Sequence, residues 1–355
     1  MNRILYESHF LINIAASIVR QEDMRPLHGK FDWERMFRIS DYHRISNLIY
    51  PGVLGNEKVP ENWRERFFER YQESLQFSDI CEKEEREILA LLDVKEVPTL
   101  LLESCKRREL YQMKELAGEC VLRLHLKPED YSFAKGFLID LGYETDRIYA
   151  NCGERMRKSE GFCVEIYDRI PYKTAAFHKQ IKKLFNDAHL ISGFDYIYEL
   201  TETERLTYLL ARISYCYVTG KVLIRQLLDL CLLHRSLREE NLEDMWRWLE
   251  KLKIATLSEK LLNMSYMWFG TKEERVEFKA QDELELYDLI ENRILGYGRE
   301  HEEKIPEELA LATMILKEEE RENYKMRRKL FLQKILELKN QLCDLFREYI
   351  WNKEK

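Results

Sequence analysis

The stretch VLRLHLKPED, residues 121–130, decides the fold. Val121, Arg123 and His125 alternate with Leu122, Leu124 and Leu126, a period of two that specifies a strand with one apolar face. Lys127-Pro128-Glu129-Asp130 then opens a helix, because proline suits a first helical turn and acids suit its positive dipole end. A strand running straight into a helix begins an α/β unit, and the neighbouring sequence extends it. VPTLLLES (97–104) is a short continuous apolar run, FLIDLGYE (137–144) ends a helix at Gly142, and YETDRIYA (143–150) and GFCVEIYDRI (161–170) alternate. Over about 96–170 the order is strand, helix, strand, helix, strand, strand, which predicts a small mixed sheet with helices on it.

On both sides of this island the apolar period is helical. ILYESHFLINIAASIV (4–19) repeats every three or four residues, and PENWRERFFERYQESLQFSDICEKEEREILALL (60–92) predicts one long amphipathic helix with Pro60 near its first turn. After Pro171 helical periodicity resumes and runs to the end, with a capping box at Thr201 and Glu204 and Gly220 between two helices. A last amphipathic helix over 324–352 suits its own chain or a partner equally. The fold class expected is therefore α+β, mostly helical with a small mixed β-sheet core. Its divisions are an N-terminal helical region (1–94), an α/β core (95–172) and a C-terminal helical domain (173–355).

Composition narrows the function classes. Of 355 residues 45% are hydrophobic and 34% charged, with only 13 Gly and 7 Pro, which describes a folded, helix-rich protein. A net charge of −7 supplies no general attraction for phosphate backbones, so nucleic acid is disfavoured as a partner. The eight cysteines form no C-x-x-C pair and read as buried free thiols, and no apolar run approaches the length of a membrane span. A cytoplasmic protein with no membrane contact is expected. The tract KEEEREN (317–323) reads as a solvated helix face. His9, His28, His43, His178, His189, His234 and His301 lack metal-ligand spacing, and the aromatic residues of MWRWLEKL and MSYMWFG read as helix-packing material. No G-x-S-x-G, P-loop or H-E-x-x-H occurs.

The layout resembles the uncharacterised bacterial nucleotidyltransferase family, over roughly residues 30–270. The matching stretches are EILALLDVKEVPTLLLES, CVLRLHLKPED, FLIDLGYE and CVEIYDRI, and farther on GKVLIRQLLDLCLL, with Gly220, Arg225 and Asp229 at the family's positions. The resemblance implies a nucleotidyltransferase core in which two Asp on one strand and a third carboxylate on the next hold two metal ions, usually Mg²⁺, with a nucleoside triphosphate. It also implies a Lys-Gly turn near the phosphates. At those positions this chain has Glu103 and Ser104 for Lys-Gly, Val121 and Arg123 for the two Asp, Glu165 for the third carboxylate, and Tyr167 for the following His.

The departures fall on the site and spare the scaffold. Ser104 still suits a phosphate-binding turn, whereas Val121 offers no metal ligand and Arg123 repels a cation. We therefore expect a catalytically degenerate member that binds a nucleotide or a protein partner. In it Glu165 is the retained catalytic-type carboxylate, Ser104 and Arg123 are the candidate cofactor-binding residues, no residue is a metal ligand, and no cofactor is required. Arg123 and Glu165 are expected to form a bidentate ion pair in a converted pocket lined also by Val121 and His125. Alternation with Phe162, Val164 and Ile166 equally fits a Glu165 on a solvated strand face, and the same holds for Arg123 and His125. Arg225 and Asp229, four apart, fit local or interhelical support or a substrate contact. Two other functions stay open: an active enzyme using Mg²⁺ and a nucleoside triphosphate through Glu103, Glu119, Glu165 and Asp168, and a purely helical scaffold.

Overall fold

In the computed structural model, the described residues are 3–22, 30–54, 56–149, 152–158, 162–169, 183, 188–237, 242–277, 284–295 and the single positions 309, 325, 328, 329, 332, 335 and 339. Pro171, the 172/173 boundary, His28, His178, His301, Cys343 and the tract 317–323 lie outside them. Of the helix expected over 324–352, only six positions are described, all helical and exposed.

The periodicity translates into elements largely where it is strongest. Helices α1 (Arg3–Arg20), α2 (Trp33–Tyr42), α3 (Ser46–Val53) and α4 (Glu61–Val94) precede the sheet, and Pro60 stands at the N-cap of α4. Then come β1 (Thr99–Glu103), β2 (Val121–Leu126), α5 (Tyr131–Asp140), β3 (Glu144–Tyr149), β4 (Gly153–Arg157), β5 (Cys163–Tyr167), β6 (His189–Leu190) and β7 (Ile197–Glu199). Helices α6 (Glu202–Val218), α7 (Ile224–Ser236), α8 (Glu243–Lys251), α9 (Ala255–Phe269), α10 (Lys272–Glu277) and α11 (Leu284–Ile294) follow. Thr201 and Glu204 close both halves of the capping box on α6. Gly142, at φ +89°, takes the left-handed position just after α5 that a side chain resists.

The strands form one mixed seven-stranded sheet in the order β3-β4-β5-β2-β1-β7-β6. β2 lies parallel to β5 and antiparallel to β1, and β1 is parallel to β7. These strands exclude a purely helical scaffold. Two expectations are corrected. Residues 153–157, unassigned in the sequence reading, form β4 between β3 and β5, and the helical region expected after Pro171 also contains β6 and β7, which extend the sheet past residue 172.

The faces of the sheet differ. Leu122, Leu124 and Leu126, with Val164, Ile166 and Met156, pack on Phe77, Cys81, Ile88 and Leu92 of α4 and on Ala134 and Leu138 of α5. On the opposite face Leu102 and Tyr167 join a larger core shared by α1–α4 and α6–α9. Among the described residues no helix is long and apolar enough to cross a membrane.

Candidate functional site

Two irregularities in the sheet aim the site. Leu101 lies opposite Leu124 but Glu103 lies opposite Arg123, so β1 spends two residues where β2 spends one. Plain alternation would leave Glu103 on the same face as Leu101, against α4. The bulge turns it to the face carrying Arg123. β3 repeats the device, with Thr145 opposite Met156 and Arg147 opposite Arg155. Thr145 consequently hydrogen-bonds Glu154 at 2.7 Å on the α5 side, while Tyr149 reaches Glu165 on the other.

On that face Arg123 bridges two carboxylates. Its Nε donates to Glu165 Oε2 at 2.6 Å and its Nη1 donates to Glu103. The pair is not bidentate on Glu165, because the second guanidinium nitrogen is spent on Glu103. The two bonds to a single Glu165 oxygen come instead from Arg155, at 2.9 and 2.6 Å. Tyr149 and Tyr167 donate their hydroxyls to Glu165 at 2.7 and 2.6 Å, which leaves this carboxylate 2% exposed and fully enclosed by donors. Arg212 of α6 meets Glu103 at 3.0 Å, and Arg107 approaches it at 3.7 Å.

Burial alone would raise both carboxyls, but the guanidiniums outweigh it. Arg123, Arg212 and Arg107 hold Glu103 down at about 2. Arg123 and Arg155, with the two tyrosine hydroxyls, hold Glu165 well below the usual carboxylate range. Burial and the charge of Glu165 raise Tyr149 and Tyr167, so both remain protonated donors.

The network continues into the helical layer. Arg107 donates to Asp229 Oδ2 at 2.8 Å, and Tyr111 donates to Asp229 Oδ1 at 2.6 Å. Arg225 spans the carbonyls of Arg44 and Leu116, the Asn47 amide oxygen and the Tyr111 hydroxyl. Arg225 and Asp229 therefore serve as interhelical supports tying α7 to the α2–α3 turn and to the segment after β1. Ser104 caps the 3₁₀ turn Cys105–Leu110 by accepting from the Lys106 N–H at 3.2 Å, and Glu85 of α4 accepts from the Cys105 N–H at 2.6 Å. The backbone donors that could face a phosphate at this turn are thus engaged by the chain's own oxygens.

The structure brings together Glu103, Arg123 and Glu165 from the residues singled out in the sequence. Val121 is buried near the start of β2 opposite Cys163, and the His125 ring meets the Tyr167 carbonyl at 3.1 Å. Glu119 is exposed on the loop before β2, and Asp168 follows β5. Among the described residues no three His, Cys, Asp or Glu side chains form a group able to hold a metal ion. Sequence reasoning missed Arg107, Arg155, Arg212, Tyr149 and the role of Tyr167. Arg155 carried little signal, since Gly153-Glu154-Arg155-Met156-Arg157 holds a single apolar residue. Arg212 carried none, since one arginine in a helix does not announce which sheet it faces.

A family model described as an uncharacterised nucleotidyltransferase matches residues 29–270 of the chain. No curated protein and no solved structure matches it.

Proposed function

The chain belongs to the uncharacterised nucleotidyltransferase family, and within it we propose that this member is catalytically degenerate, keeping the family's core to bind a nucleotide or a protein partner without transferring nucleotidyl groups. The carrying observation is the Arg123 guanidinium bonded to both Glu103 and Glu165. Two-metal chemistry needs anionic oxygens open to divalent cations. Here the carboxylate oxygens are taken by a fixed cation, and an entering Mg²⁺ would have to expel Arg123 while standing beside Arg107, Arg155 and Arg212. This residue set does not fit a pair of metal ions. The engagement of the Cys105 and Lys106 N–H groups by Glu85 and Ser104 supports the same reading. We also propose a reducing, cytoplasmic setting, in keeping with the free thiols of Cys81, Cys105, Cys120, Cys216 and Cys231.

The test is a thermal shift and pyrophosphate-release assay with ATP, GTP, CTP and UTP, in Mg²⁺, in Mn²⁺ and in EDTA. Any stabilisation by a nucleotide should be the same with and without metal, following its concentration against Kd, and no pyrophosphate should appear. Stabilisation that requires the metal and is accompanied by pyrophosphate would refute the proposal.

A further inference from the structure

We propose that Cys105 and Cys120 form a redox-sensitive thiol pair, which a small hydroperoxide oxidises to a reversible disulfide. The ground is the packing at one end of the β1–β2 pair. Cys105 lies two residues past β1, in the turn that Ser104 caps, and Cys120 immediately precedes β2. Both are buried, at 5% and 1% exposed, in the core cluster that also holds Cys81 of α4. The Cys105 Sγ lies 3.6 Å from the Cys81 carbonyl oxygen, and its thiol hydrogen-bonds the thiols of both Cys81 and Cys120. No disulfide joins the three. A guanidinium stands at each outer sulfur. Arg107 Nη2 donates to Cys120 Sγ at 3.4 Å and to the Glu119 carbonyl at 2.8 Å, and Arg108 Nη1 donates to Cys81 Sγ at 2.6 Å. A cation beside a thiol favours the thiolate, which is the form that attacks an oxidant.

The surroundings assign the roles. Cys120 adjoins the exposed Glu119, whereas Cys81 is 0% exposed and its donor Arg108 only 1%. The bond from Cys105 and the charge of Arg107 bring Cys120 down to about 7 against its burial, while its bonds to the other two thiols and its burial raise Cys105. Cys120 is therefore the attacking thiolate and Cys105 the resolving thiol. In the first step the Cys120 sulfur attacks one peroxide oxygen: an S–O bond forms, the O–O bond breaks, and the leaving oxygen takes a proton as water or an alcohol. In the second the Cys105 sulfur attacks the Cys120 sulfenic acid: the S–S bond forms, the S–O bond breaks, and the departing hydroxide takes the Cys105 proton as a second molecule of water. Two thiols are oxidised and one peroxide is reduced. Burial restricts the oxidant to a molecule as small as a hydroperoxide. The segment between the two cysteines carries Arg107 and Tyr111, which hold Asp229, so the new bond acts on the contact between the sheet and α7.

The experiment treats the reduced full chain with hydrogen peroxide at pH 7 and maps every cysteine over time by alkylation and mass spectrometry, on the parent and on Cys105→Ser. We expect Cys105 and Cys120 to be lost together as one disulfide, about tenfold faster than the half-buried Cys216, and to be restored by dithiothreitol. The factor follows because a thiol titrating near 7 is about half ionised at that pH and an ordinary one near 8.5 only about 3%. Cys105→Ser should stop at a Cys120 sulfenic acid that dimedone traps; should that variant fold poorly, the order of oxidation within the parent decides by itself. Oxidation of Cys216 first, one rate for all cysteines, a Cys81–Cys105 link in place of Cys105–Cys120, or no oxidation would each overturn the inference. Glutathione disulfide, used in place of peroxide, should leave Cys120 unmodified, and a mixed disulfide there formed as fast as the peroxide product would overturn the choice of a small oxidant.

Discussion

Arg123 shows how one side chain can set the charge of a strand face. Its two bonds join Glu103 and Glu165 where both are largely removed from water, so truncating it leaves Glu165 to Arg155 and Glu103 to Arg212 and Arg107. We expect Arg123→Ala to lower stability by roughly 3 kcal/mol, read from urea unfolding, because each of two buried carboxylates loses a charged hydrogen bond. The same pairing fixes a pH dependence. Glu103 is held at about 2 in the folded chain, below its ordinary 4.5, and Glu165 is shifted in the same direction. A depressed folded pKa contributes stability that is complete above the unfolded value and is lost as pH falls through the folded one. The urea midpoint should therefore hold above pH 4.5 and decline from there toward pH 2, and Glu103→Gln should flatten part of the decline. A midpoint independent of pH across that window would show that these carboxylates are not paired in solution.

Secondary-structure elements were legible in proportion to their length. The capping box of α6, the Gly142 stop of α5 and the proline start of α4 are local signals, and each matched the structure. β6 and β7, of two and three residues, are too short to show any period and are held by their pairing with each other and with β1. β4 was missed because its five residues include a single apolar one, and it is the strand that brings Arg155 to Glu165. Its first residue is constrained by close approach: a Cβ on Gly153 would lie 2.0 Å from the Ile166 carbonyl oxygen across the β4–β5 pair. Backbone cannot yield there as a flexible side chain would. Gly153→Ala should cost on the order of 3 kcal/mol and displace Arg155, whereas Gly142→Ala, with nothing within 4 Å of its added Cβ, should cost about 1 from its positive φ alone. Similar midpoints for the two variants in thermal unfolding would contradict the close contact.

Across the whole molecule, α1 shares a core with helices more than two hundred residues away. Leu11, Ile12 and Ile14 are buried in the cluster that contains Leu257, Leu261 and Ile290. At roughly 1.5–3 kcal/mol for each fully buried aliphatic side chain, these three contribute an amount comparable with the net stability of an ordinary domain, about 5–15 kcal/mol. Residues 29–270, the part matched by the family, are therefore expected to lack a cooperative unfolding transition when produced without α1, and a sharp transition in that fragment would show the helix to be dispensable. What the sequence by itself determined is the mostly helical α+β class, the family, and the absence of aspartate from β2, because periodicity and residue identity act over a few neighbouring positions. The encirclement of Glu165 by Arg123, Arg155, Tyr149 and Tyr167, and the turning of Glu103 toward Arg123, were decided only by tertiary structure. Bulge positions, strand order and the helix packed on a sheet face set which distant charges meet, and no local pattern records those long-range choices.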